Sequence, residues 1–174
     1  MPKRKTIALD FEVDELTNSI VNTATGDSFP TEISPITPED LAKISKDKTW
    51  LFDWGKEYRM PNHQLYKLTI AGNSQIIQGL MCFEIRFDHV HIHLLESAKL
   101  NLGKGKAYLG VPGNLVAFAC KVSLEKGFEG NVAFVAKTKL IEHYEKTLGA
   151  FSFGSKMIIP PPVARRLIDK YFNT

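Results

Sequence analysis

Cysteine is nearly absent from this chain. Cys82 and Cys120 are the only two, neither sits in a CxxC pair, and both lie in apolar runs ("GLMCFEI", "VAFACKV"). That excludes a disulfide framework and a thiolate metal knuckle, and it fits inert buried thiols. Long apolar runs are missing too: nothing approaches the roughly 20 residues a membrane-spanning helix needs. The basic N-terminus runs into "TIALDFEVDE" without an apolar core region, so no signal peptide is expected and the expected location is cytoplasmic. Excess charge of one sign is also lacking. Lys and Arg total 22 against 19 Asp and Glu, a formal +3 that does not imply nucleic acid. The short "KRK" at Lys3 to Lys5 reads as a solvated tail, with residues 1–5 flexible. Repeats, low-complexity tracts, a Walker loop and a GxGxxG fingerprint are absent as well.

What is present suits one domain spanning residues 1–174, with 44% apolar and 24% charged residues, a balance that excludes disorder. Two extended segments flank the Gly26-Asp27 turn, with Pro30 and Pro35 pushing the second toward a sheet edge. "TPEDLAKISK" carries helix-start signals: Thr37 to cap, Pro38 at the first helical position, then Glu39 and Asp40. After the aromatic-rich "WLFDWGKEYRMPN", residues 64–98 read as a three-stranded meander. The second half reads as glycine-rich loop, helix from Gly113, apolar strand "VAFVA", helix "TKLIEHYEKTLGA", last strand "FSFGSKMII" and a proline-started amphipathic helix. Strands followed by loop-helix-strand-helix-strand give one α/β or α+β layered domain.

"HVHIHLLESAKLN" raises the question of metal. On a strand His89, His91 and His93 share one face, with Val90, Ile92 and Leu94 turned to the core. Three ligands in a line are about 7 Å apart per step, too splayed to converge on one ion. Solvent-facing or groove-lining histidines, and no metal, are therefore expected. "KAYLGVPGNLVAFA" carries more chemistry. A glycine-rich turn entering a helix aims backbone N–H groups at an anion. Gly110 and Gly113 permit close approach, and the N–H groups of Val111, Gly113, Asn114 and Leu115 are candidate donors, while Pro112 has none. Many helices begin with glycines and bind nothing, so the loop alone decides little.

Together, "LLESAKLN", the loop, and "HYEKTLGA" at 143–150 resemble the acetyl-CoA-binding half of the GNAT superfamily of N-acetyltransferases, over about residues 89–155. Gly110-Val111-Pro112 stands at the family's G-x-G/A. The resemblance implies a mixed, largely antiparallel sheet flanked by helices and splayed open between its two central strands. Acetyl-CoA would lie in the opening, its pantetheine along Ser97 and Ala98 and beside Lys137, its pyrophosphate on the loop from Gly110 through Leu115. Lys104 and Lys106 could add charge. An amine would attack the thioester directly, with Tyr144 as acid for the leaving thiolate and Glu96 as base. Tyr144 also reads as a core aromatic and Glu96 as a paired strand residue. Three departures stand out: Ala107 replaces an Arg or Gln, Pro112 a Gly or Ala, and Lys137 an Asn. They keep open a non-catalytic CoA-binding or partner-recognition module. The acceptor is a small-molecule or peptide amine; Trp50, Phe52, Trp54 and Tyr58 are candidates to line its pocket, and a homodimer is compatible with the family.

Overall fold

The computed structural model describes residues 7–17 and 19–172; the basic tail expected to be flexible lies outside them. A short hairpin comes first, β1 (Ile20–Asn22) and β2 (Ser28–Phe29), closed through Gly26 at φ 78°. The strand β3 (Thr31–Pro35) follows at the sheet edge, where Pro35 costs no ladder bond.

The helix α1 (Pro38–Lys46) starts as the sequence signals, with a full capping box between Thr37 and Asp40. Asp40 also accepts from Lys67 Nζ at 2.9 Å, tying α1 to the sheet. A second helix, α2 (Trp54–Arg59), forms inside the aromatic stretch that carried no expected element. Asp53 caps it by accepting from Lys56 N–H, and Trp54 anchors it at 1% exposure.

The meander is β4 (His63–Ile70), β5 (Gly79–Ile85) and β6 (Val90–Ser97), all antiparallel. After β6 a small strand, β7 (Tyr108–Leu109), pairs with β1 rather than with the main sheet. The helix α3 (Val111–Glu125) then packs on β5 and β6, and β8 (Val132–Val135) returns parallel to β6. α4 (Ile141–Leu148) ends at Gly149, whose φ of 76° serves the left-handed cap. The expected single last strand is a hairpin, β9 (Phe151–Phe153) and β10 (Lys156–Ile159), because Gly154 at φ 64° turns the chain. α5 (Pro161–Phe172) lies against α3.

The seven-stranded sheet has the order β3-β4-β5-β6-β8-β10-β9. α1 and α2 cover one face; α3 and α5 cover the other, where Leu115, Val116 and Ala119 join the core with Met81 and Phe83. Each such side chain contributes about 1.5–3 kcal/mol. The one parallel pair in this sheet governs the site. β6 and β8 pair only at Val90↔Val132 and His91↔Ala133. Beyond those two rungs the strands separate, and β6 runs on to Ser97 without β8 beside it.

Candidate active site

The wedge between β6 and β8 gathers residues that are far apart in sequence. β6 forms one wall. Its far edge pairs with β5 through Gly79↔Ser97, and Ala98 N–H donates to Gln78 O at 2.9 Å. Strand alternation therefore turns the N–H of Ser97 to the wedge side. α4 brings Tyr144 to the β8 side, fully buried among Phe11, Phe134 and His143, with ring centroids 4.9–5.5 Å away. The Tyr144 hydroxyl donates to Phe11 O at 2.6 Å. Burial, then the carboxylates of Asp10 and Glu12, push this phenol above its ordinary range, so it keeps its proton at neutral pH.

At the wide end stands the glycine loop. Gly110 adopts φ 98°, a left-handed conformation that only glycine takes at no cost, and its N–H points out of α3. Pro112 occupies the first turn, where its missing N–H breaks no helical bond. Asn114 is structural: its side-chain amide donates to Gly110 O at 2.7 Å and to Ser19 O at 3.2 Å, and its own N–H to Gly110 O. Val111, Gly113 and Leu115 are buried in the first turns of α3.

Glu96 faces the α1 and α2 side. Its carboxylate accepts from Leu51 N–H at 2.7 Å, Trp54 Nε1–H at 2.8 Å and Phe52 N–H at 3.4 Å, which pins the chain entering α2. A cavity of about 230 Å³ lies beside it, bounded by Leu95, Glu96 and Ser97 on β6 and by Lys106 and Pro112. Phe52, a candidate acceptor-lining aromatic, and Leu102 also line it, and a further wall comes from a part of the chain with no family motif, Asp10, Phe11, Glu12 and Asp14. A larger cavity of about 680 Å³ lies between α1 and Ala98–Leu100, lined by Trp50 among others; neither Tyr144, Glu96 nor Gly110 reaches it. Of the four candidate acceptor-lining aromatics, Trp54 is core and Tyr58 is exposed on α2.

The segment 7–17 runs through the wedge itself. Leu9 forms a parallel bridge to Ala136, its N–H donating to Val135 O at 2.7 Å and its carbonyl accepting from Lys137 N–H at 3.0 Å. The Lys137 side chain pairs with Asp10 at 2.8 Å. Val13 N–H donates to His143 Nε2 at 2.9 Å. Farther along, Asp14 accepts from Gly110 N–H at 3.1 Å and pairs with Lys106 at 3.3 Å. Sequence reasoning missed this segment because its partners lie more than 90 residues away.

His89, half-buried, pairs with Asp88 at 2.7 Å, but His91 and His93 are not solvent-facing. His91 is 1% exposed and neither ring nitrogen has a hydrogen-bond partner. A register irregularity at Cys82/Phe83 shifts β5 against β6, and His93 bonds Glu84 at 3.0 Å while stacking on His63 at 4.1 Å. His63 also meets Glu57 at 2.9 Å and Cys82 at 3.4 Å. Two groups could therefore gather around a metal, Glu57-His63-Cys82 and His63-Glu84-His93. Both are already joined by internal hydrogen bonds. Desolvation, with Arg86 and the neighbouring histidines, pushes His91 down to about 3.

No protein-family model and no curated protein matches the chain. Solved structures do. Spermidine N-acetyltransferase from Vibrio cholerae, a dodecamer, superposes with TM-score 0.55 at 14% identity, covering 75% of this chain and 94% of its own. The AtaTR complex bound with acetyl-CoA gives 0.54 at 15%, covering 79% and 98%. The Vibrio enzyme with CoA and spermine gives 0.51 at 13%, covering 74% and 91%. The fold is that of the GNAT acetyltransferases. Nearly all of each GNAT structure lies within about three-quarters of this chain, so roughly a fifth to a quarter of it is additional. The segment 7–17 and α5 both lie outside the seven-stranded sheet. Both meet at the glycine loop: Leu16 and the Tyr171 hydroxyl crowd the α-carbon of Gly113. No helix among the described residues is long and apolar enough to cross a membrane.

Proposed function

We propose that this chain is an acetyl-CoA-dependent N-acetyltransferase whose acceptor is a small-molecule or peptide amine. The observation that carries the reading is the Tyr144 hydroxyl, protonated and donating to Phe11 O, beside a cavity that Phe11, Ser97 and Pro112 line within a GNAT fold. The residues fit the substrate chemically. Gly110 carries no side chain to obstruct a pyrophosphate, and the N–H groups of Gly110, Val111 and Gly113 at the start of α3, with Lys106, supply positive character. Lys104 lies in the same loop. The edge of Ser97 and Ala98 suits an extended amide-bearing chain, and Lys137 faces it from the β8 side.

In this reading Glu96 relieves the acceptor ammonium of its proton, and to do so it must release one of its three donors. The amine nitrogen then bonds to the acyl carbon while the carbon–sulfur bond breaks. Tyr144 gives its proton to the departing thiolate, and backbone N–H groups of β6 stabilise the oxyanion. Calorimetry with acetyl-CoA, followed by thiol release over a panel of amines, tests it. Saturable binding and turnover with at least one amine are expected; no binding at millimolar acetyl-CoA sinks it. One observation favours a second reading, a non-catalytic CoA-binding or partner-recognition module: the chain's own N-terminal segment fills part of the wedge. Tight CoA binding with no amine acetylated would establish that alternative.

A further inference from the structure

We infer that residues 9–17 are an autoinhibitory strap that imitates the cofactor and must leave the wedge before acetyl-CoA binds. The inference rests on the acetyltransferase reading above and adds regulation of the same site.

The strap meets each feature of that site in order. Leu9 takes the backbone N–H of Lys137 and the carbonyl of Val135, the β8 edge facing an inserted extended chain. Asp10 takes the Lys137 ammonium. The Phe11 carbonyl accepts the proton of Tyr144, where the acid would otherwise serve a leaving thiolate. Asp14 takes the N–H of Gly110 with one carboxylate oxygen and Lys106 with the other, so an anion already sits on the phosphate loop. Thr17 then lies over the α-carbon of Gly110, and Leu16 over that of Gly113.

The strap could instead be a permanent wall, with acetyl-CoA in the cavity beside it. Electrostatics and volume decide against that. Along "DFEVDE" Phe11 and Val13 join the core, while Asp10, Glu12 and Asp14, with one side of Phe11, line the cavity. Asp10 and Asp14 already hold Lys137 and Lys106, so neither lysine is left to attract a polyphosphate, and Glu12 adds a further carboxylate to that wall. The cavity's 230 Å³ also falls below the range of pockets that enclose even drug-sized ligands, about 300–1,000 Å³. The strap is held by three buried apolar side chains and short polar contacts, so it resembles a bound ligand on a tether.

Hydrogen exchange on the full-length wild-type protein with and without saturating acetyl-CoA tests the inference, together with calorimetry on wild type, Asp14→Ala and Asp14→Asn. Exchange at residues 9–16 should speed up on binding while residues 108–115 slow down. Asp14→Ala should bind acetyl-CoA at least about tenfold more tightly than wild type, and Asp14→Asn, which keeps an acceptor for Gly110, should fall between. Added protection of residues 9–16 on binding makes the segment a wall and overturns the inference whatever the affinities. Equal affinity of wild type and Asp14→Ala overturns it too, leaving the acetyltransferase reading intact. Absence of binding in all three chains removes that reading and the strap with it.

Discussion

Replacing Tyr144 with Phe deletes one oxygen and leaves the ring packing on Phe11, Phe134 and His143 in place. The lost bond is the 2.6 Å donation to Phe11 O, so the folded state should lose about 0.5–1.5 kcal/mol, with Phe11 O left short of a donor. Loss of a general acid costs about 10²-fold or more in turnover, equal to about 2.7 kcal/mol of barrier. The two effects act on different observables. Because the same bond anchors the N-terminal strap, acetyl-CoA affinity should stay level or rise while turnover falls. Denaturant melts give the first number, thiol release the second and calorimetry the third. A variant that turns over at the wild-type rate but has lost stability would make Tyr144 a strut and remove its catalytic assignment. A variant that loses affinity and turnover alike would also refute the reasoning.

His91→Leu should be neutral or stabilising at pH 7, because neither buried ring nitrogen has a partner to lose. Its folded value near 3 lies below the unfolded 6.5, so the unfolded chain takes the proton first and stability falls as pH drops from 6.5 toward 3. By pH 5 that amounts to about 2 kcal/mol, and the variant's stability–pH slope should be shallower by about one proton; equal slopes refute the assignment. Glu96→Gln should destabilise by about 1–3 kcal/mol, since an amide turns N–H toward the donors Leu51, Phe52 or Trp54. As the proposed base it should also lose the acidic limb of the pH–rate profile; a limb that survives moves the base elsewhere.

Legibility followed the range of the interactions. The Thr37 capping box, the Gly149 stop and the apolar strand β8 depend on neighbours within a few residues, and each appears where the sequence puts it. α2 escaped because its stability comes from Trp54 buried under Glu96, a contact across 42 residues, and six residues carry too little periodicity to announce a helix. The histidines misled for a related reason. Alternation says that His89, His91 and His93 share a face, but not whether α1, α2 or solvent covers it, and the bulge against β5 cannot be read from one strand. Of the proposed site, the loop and Tyr144 came from the family resemblance, whereas the donors holding Glu96 had no local signal.

The strap shows why likeness at 13–15% identity establishes a fold and leaves the activity to be argued. A chain can retain the fold and its wedge while filling the wedge with its own residues. "DFEVDE" carries its information in composition: a segment that only completed the core would need Leu9, Phe11 and Val13 but no carboxylates on the opposite side. Acids at Asp10 and Asp14 find Lys137 and Lys106, the two lysines the family resemblance placed beside the cofactor. A segment selected for packing alone has no reason to neutralise both. Charge complementarity between the strap and the substrate's own binding groups is therefore what separates a regulated enzyme from a filled relic, and it makes affinity depend on the N-terminal residues. A folded variant shortened through Asp14, or extended at its start so that the strap cannot seat, should bind acetyl-CoA more tightly than the wild-type chain.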